Sequence, residues 1–134
     1  MIIGLGADIV DIRRIEKTID RHGDRFLQRV FTATERDKAM QRTETIRAAT
    51  FAKRFAAKEA AAKALGTGFG QGVFFADLGV VNLRGGQPTM HMTGGAARRL
   101  ATITPADMRA MVALTMTDEY PYAYAQVIIS AVPA

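Results

Sequence analysis

The stretch RFAAKEAAAKALGTG, Arg54 to Gly68, constrains this chain of 134 residues more than any other. Six of its fifteen residues are alanine, the best helix former. The pattern extends back through RTETIRAATFAK, predicting one long helix from about Arg42 to a stop at Gly66. A helix with so little side-chain volume buries itself by approaching a sheet closely. Counted at 100° per residue, Glu59 shares its face with Ala52, Phe55, Ala56, Ala62, Lys63 and Gly66, so a lone carboxylate lies along the packing stripe. As an exposed pair, Glu59 and Lys63 contribute about 0.2–0.5 kcal/mol. At the edge of a buried face, the same carboxylate needs a partner or a metal ion.

The rest of the chain frames that helix. IIGLGADIV alternates apolar residues and predicts a strand over Ile2 to Val10. Ile12, Ile15 and Ile19 recur at helical spacing from Asp11, with Gly23 as the stop. RFLQRVF reads as a short second helix. A third follows, with Thr34 to Asp37 as its expected capping box. After Gly66 come a turn, a hairpin bent at Arg84 to Gln87 with Pro88 opening the return strand, a helix ending before Pro105, and two strands joined around DEYP. Strand, helices, then mainly antiparallel strands is an α+β order, read here as one domain over residues 1–134 with a mainly antiparallel sheet packed by the long helix.

Composition excludes several chemistries. The chain has no cysteine and only two histidines, which removes disulfides, thiolate catalysis and zinc–sulfur sites. No apolar run is long enough to span a membrane, and the N-terminus lacks the features of a signal peptide. The expectation is a cytoplasmic protein. From Met1 to Gly66 there are 14 basic and nine acidic residues, and beyond Gly66 four of each. The whole excess of +5 lies in the first half, which suggests an acidic partner: nucleic acid, a phosphorylated ligand or an acidic protein.

Two further features carry chemistry. GTGFGQG follows a helix and lacks the lysine of a P-loop, so it is neither a Walker nor a dinucleotide motif. It is a loop of low bulk whose backbone can approach a ligand. Asp8 stands in an otherwise apolar strand, where acidic residues are depleted. It is a cap for the next helix or a ligand. A strand carboxylate, a helix carboxylate and a nearby lysine together suit Mg2+, which takes oxygen ligands and is held by one or two carboxylates plus substrate phosphates.

GLGADIVDIRRIE and FAKRFAAKEAAAKALGTG resemble the two signatures of holo-acyl-carrier-protein synthases, the small bacterial 4′-phosphopantetheinyl transferases. DLGVVNLRGGQP and the closing strand pair follow the same layout, so the likeness spans nearly the whole chain. The resemblance implies an α+β fold of the 4′-phosphopantetheinyl transferase type, assembled as a homotrimer with active sites between subunits. It implies Asp8 and Glu59 as Mg2+ ligands and Lys63 beside them as a catalytic group on the leaving phosphate. Arg54, Lys58 and Lys63 would hold coenzyme A phosphates, and Gly66, Gly68 and Pro88 would shape its pocket. The implied reaction moves phosphopantetheine from coenzyme A to a serine of an apo acyl carrier protein in fatty acid biosynthesis, releasing adenosine 3′,5′-bisphosphate. Its base is Glu59 or a metal-bound water.

Arg14, Arg21 and Arg25, at i, i+7 and i+11, share a helical face that the resemblance assigns to the acidic carrier protein. Many family members carry Ser-x-Ser-His where this chain has Thr115-Met-Thr-Asp118, so one cationic contact is missing and Asp118 takes no catalytic role. The competing readings are a nucleic-acid module and a nucleotide-binding regulatory domain. Against the former, no nucleic-acid motif appears and the basic residues are not interleaved with aromatics. The partners expected are therefore coenzyme A and the carrier protein, with no nucleic acid and no membrane.

Overall fold

The computed structural model describes residues 1–134. Its elements are β1 (Ile2–Asp11), α1 (Ile12–His22), α2 (Asp24–Val30), α3 (Ala33–Met40), α4 (Glu44–Ala64), a 3-10 turn (Phe75–Asp77), β2 (Leu78–Asn82), β3 (Pro88–Met92), α5 (Gly94–Ile103), β4 (Met108–Glu119) and β5 (Tyr122–Pro133). The α+β order read from the sequence holds. β1, β5 and β4 form an antiparallel sheet with β5 central, and β2 and β3 form a separate hairpin.

Side chains alternate between the faces of that sheet. On its inner face Gly4, Gly6, Asp8 and Val10 of β1 lie opposite Ile129, Val127, Ala125 and Ala123 of β5. The same β5 residues lie opposite Val112, Leu114, Met116 and Asp118 of β4. α4 covers this face, and Ala56, Ala57, Ala60 and Ala61 are wholly buried against it. The approach is backbone to backbone: a Cβ on Gly6 would overlap the Ala60 carbonyl oxygen, and one on Gly4 the Ala64 carbonyl oxygen. Alanine on the helix and glycine on the strand are thus a matched set.

One correction to the sequence reading concerns a helix end. The cap of α3 is Thr32, not Thr34. Its hydroxyl accepts from Glu35 N at 3.2 Å while Glu35 Oε1 accepts from Thr32 N at 2.8 Å. Glutamate at the third helical position has the reach for this reciprocal pair, and Thr32 to Glu35 has that spacing. Gly23, with φ at +54°, ends α1 at the stop expected from the sequence, and Arg25 lies on the next helix, which begins at Asp24. Helical periodicity aligns Arg14 with Arg21 but does not reach Arg25.

The largest correction is Lys58. Expected on coenzyme A phosphates, its side chain is 0% exposed and pairs with Glu35 at 2.8 Å. Its ammonium also donates to the carbonyls of Leu78 and Phe75, and Glu35 Oε2 accepts from Val80 N at 2.7 Å. Burial lowers the proton affinity of Lys58 and Glu35 partly restores it. The pair ties α3 and α4 to β2, and no phosphate reaches it. Glu35→Ala leaves a buried ammonium short of its counterion and should cost about 3–5 kcal/mol, read by urea denaturation. Replacing both partners, Glu35→Leu with Lys58→Met, should recover most of that loss.

Candidate active site

The glycine–alanine contact between β1 and α4 sets the site. Asp8 lies two residues beyond Gly6 on the same face of β1, and Glu59 adjoins Ala60 on α4. Lys63, one turn further along, donates to Asp8 Oδ1 at 3.1 Å and to the Ala7 carbonyl at 3.0 Å. Asp8, Glu59 and Lys63 are therefore brought together, as the motifs anticipated. Glu59 is half-buried, and its carboxyl is pushed above the usual carboxylate range by burial first and by the negative charge of Asp8 second. Lys63 and Arg14 pull it the other way.

The donor set fits a hard divalent cation. Two carboxylates lie near enough across the helix–strand seam for the charge of Asp8 to act on Glu59, and no third acidic or histidine ligand joins them. That leaves room for phosphate oxygens and waters, the shell Mg2+ prefers. A cation there would relieve the repulsion that raises Glu59.

Around this centre the walls are apolar and loop-built. Arg14 lies over the Phe55 ring with its guanidinium carbon 5.8 Å from the centroid, and Phe55 is one turn before Glu59. Phe55 stacks on Phe75 at 5.5 Å, and Phe75 on Phe69 of the glycine loop at 3.9 Å. Gly66 and Gly68 take φ of +80° and +59°, which favours glycine at both. The amides of Thr67 and Gly68 both close back on Ala62 O, at 3.3 and 3.1 Å, so the loop wraps the end of α4 beside Lys63. Nothing lies within 4 Å of a Cβ built on Gly68, so the backbone there is open to a ligand. Arg99 of α5 donates to Leu65 O at 2.8 Å and holds that loop from behind.

Arg54 and Pro88 go elsewhere. They line a second cavity, of about 380 Å³, with Lys38, Arg42, Lys53 and Asn82. Four cations meet here with no carboxylate lining the cavity. Arg54 is 5% exposed and donates to Thr50 O at 3.2 Å, but its Nε is buried without a partner. An enclosed, unsatisfied guanidinium among three other cations is an anion site by its chemistry. Lys38, Arg42 and Lys53 have no assigned role along the sequence beyond the charge excess, because only folding gathers them around Arg54. Asp118 pairs with Lys53 at 3.0 Å, so it orients a cavity cation instead of supplying one.

Along α4, Arg54 and Lys63 are nine residues or about two and a half turns apart, about 13 Å in rise and on opposite sides of the helix. The cation cavity lies toward β4 and the carboxylates toward β1, at the two edges of one sheet. Arg14, Arg21 and Arg25 are all exposed. Of the three, Arg14 alone bears on the carboxylate centre.

Residues 4–125 match the profile of the 4′-phosphopantetheinyl transferase superfamily. The holo-(acyl-carrier-protein) synthase of Granulibacter bethesdensis is 69% identical over 133 residues, covering 99% of this chain and 92% of that protein. That of a Chelativorans species is 61% identical over 132 residues, covering 98% of each. Among solved structures, the synthase of Neisseria meningitidis superposes with a TM-score of 0.83 at 33% identity, covering 97% of this chain and 99% of that one. The Bacillus anthracis synthase in complex with CoA (3′,5′-ADP) has a TM-score of 0.76 at 34% identity, covering 96% of both. With the carboxylate pair, the glycine loop and the fold all accounted for, the chain belongs to the 4′-phosphopantetheinyl transferase superfamily, among its holo-acyl-carrier-protein synthases.

Proposed function

We propose that this chain, acting as one domain over residues 1–134, transfers 4′-phosphopantetheine from coenzyme A to a serine hydroxyl of an apo acyl carrier protein. Mg2+ is its metal, adenosine 3′,5′-bisphosphate its second product, and fatty acid biosynthesis its setting. The observation that carries this is the meeting of Asp8, Glu59 and Lys63 beside the glycine loop. Relatives named for this activity, and the Bacillus anthracis structure in complex with CoA (3′,5′-ADP), support the substrates.

In the reaction the serine oxygen forms a bond to the phosphorus bearing pantetheine. The bond from that phosphorus to the bridging oxygen breaks, and its electrons leave on the adenosine phosphate. The serine proton goes to a base. Glu59, the carboxylate on α4 beside Lys63, suits that role by its position, and a water at the same centre is the alternative base. Lys63 places positive charge where the leaving phosphate gains its own. Asp8 and Glu59 would hold the metal, which when bound neutralises pyrophosphate charge and orients the displacement. Arg14 and Arg21, exposed on α1, suit an acidic carrier surface, with Arg25 on α2 as a further contact. Arg54 and Pro88, with the cations around them, suit the outlying phosphate of coenzyme A.

The same reading includes a homotrimer with sites between subunits. Two observations support it. The anion cavity and the carboxylates sit at opposite edges of one sheet, so one chain holds them apart. The outer sheet face is also uncovered and uncharged between Leu5 and Ile9, Tyr124 and Ile128, and Ala113 and Thr117. Leu5 is 59% and Ile9 65% exposed. An apolar face of this kind on a folded chain marks an interaction site, and a symmetric one lacks like-charge clashes.

Mass spectrometry of an apo carrier incubated with coenzyme A and Mg2+ tests the activity. The wild type should add one phosphopantetheine, while Glu59→Gln and Asp8→Asn each slow the reaction by about a hundredfold or more. No added mass on several apo carriers would overturn the reading. Asp8→Asn and Arg54→Gln, each impaired alone, should complement when refolded together. Random mixing of a trimer restores roughly a quarter of the sites, and sites contained in single chains would restore none.

Glu59 also predicts a pH signature of stability in metal-free buffer. Its folded carboxyl binds protons more tightly than the unfolded one, so the folded state loses ground as pH rises through the ordinary carboxylate range toward the raised value. Glu59→Gln should match the wild type in acid and exceed its melting temperature near neutrality, while losing activity. An equal melting temperature at all pH values would contradict that burial cost.

A further inference from the structure

Residues 66–72, the glycine loop, belong to no helix or strand, yet α5 bears on both of their ends. At the near end Arg99 Nε donates to the carbonyl of Leu65 at 2.8 Å. Leu65 is the C-cap of α4 and is buried, and its carbonyl is one that the helix itself leaves unpaired. The Arg99 guanidinium also lies against Gly66, with a terminal nitrogen 3.3 Å from where a Cβ would stand. At the far end Gly95, in the first turn of α5, is so close to the loop that a Cβ on it would overlap the Gly72 carbonyl oxygen. Thr93 N, just ahead of α5, donates to Asp77 O at 2.9 Å and ties the same helix to the residues that follow the loop.

A loop of this composition needs such outside support. Gly66, Gly68, Gln71 and Gly72 all take positive φ, and glycine-rich backbone released from its anchors gains many alternative conformations. Within the loop, the backbone bond from Val73 N to Gly70 O at 3.1 Å and the ring of Phe69 on Phe75 add local order but no tie to α5. Arg99 belongs to none of the ion pairs of the chain, so its side chain is committed to the loop through Nε alone.

We propose that Arg99 is a positioning residue for coenzyme A that acts through the glycine loop, a proposal that rests on the reading of that loop as a wall of the coenzyme A site. Its Nε–H fixes the turn at Leu65 and Gly66, and α5 thereby presents the loop backbone in the conformation the ligand meets. Without that bond the loop must be ordered during binding, which weakens affinity although no ligand contact is removed. The carrier protein, assigned to the basic face of α1, is not affected.

Arg99→Gln and Arg99→Met separate this role from a direct contact between the arginine charge and a phosphate. The glutamine amide nitrogen stands where arginine has Nε and can donate to Leu65 O without a charge, whereas methionine has similar length and no donor. Calorimetric titration of coenzyme A with Mg2+ into the intact protein should show Arg99→Met about tenfold weaker than wild type and Arg99→Gln within about twofold of it. In the ligand-free protein, hydrogen exchange at the amides of Thr67, Gly68 and Val73 should quicken about tenfold in Arg99→Met and stay near the wild-type rate in Arg99→Gln. The KM for the carrier protein should be unchanged in both. Wild-type affinity and exchange in Arg99→Met would overturn the proposal. So would equal weakening by both variants, the mark of a charge placed on the ligand, or equal losses toward coenzyme A and carrier protein, the mark of a general structural defect. A wild type that binds no coenzyme A would overturn the underlying reading, and faster exchange in Arg99→Met would then still show Arg99 fixing the loop.

Discussion

The contact on which this molecule depends is the absence of side chains between β1 and α4. Glycine at positions 4 and 6 and alanine at 60 and 64 let a strand backbone rest on helix carbonyls. Any added carbon there would push the helix outward, and a shift of about 1 Å is enough to disorganise a catalytic constellation. Asp8 and Glu59 are each within two residues of this contact, so their separation is inherited from backbone packing. The close seam also desolvates Glu59. One feature therefore positions the carboxylate and tunes its proton affinity.

The cations of α4 show how burial sorts like residues into unlike roles. Lys53, Arg54, Lys58 and Lys63 lie within eleven positions, and each faces a different neighbour. Lys53 meets Asp118 on β4, Arg54 is enclosed with an unsatisfied Nε, Lys58 is sealed against Glu35, and Lys63 reaches Asp8 on β1. Helical rotation of 100° per residue accounts for the divergence. Lys58 and Glu35 make a buried pair whose main effect is to fasten the β2–β3 hairpin to the helical layer. Such pairs owe less to net attraction than to the cost of parting them.

Much of the fold was readable along the chain because its signals are local. The span of β1, the stop at Gly23, the long alanine-rich helix and the turns around the late strands follow from periodicity and from glycine and proline punctuation. Glu59 and Asp8 stood out because each breaks the pattern of its own element. What escaped was non-local. Lys58 looks like any surface lysine until Glu35, twenty-three positions earlier, is packed beneath it. The cap at Thr32 was misplaced by two residues, because Thr32 and Thr34 both head plausible boxes and the choice depends on where Glu35 must reach. Lys38 and Arg42 join the Arg54 cavity only after α3 folds back on α4.

The sealing of Lys58 gives the protein a built-in chronometer. Of its five lysines, Lys58 alone has no contact with solvent, while the Lys63 side chain is about half exposed. An amine-directed reagent therefore modifies Lys63 in the native molecule at a rate set by chemistry. It modifies Lys58 only in molecules whose α3–α4–β2 junction has parted. The ratio of the two rates measures how often that junction opens.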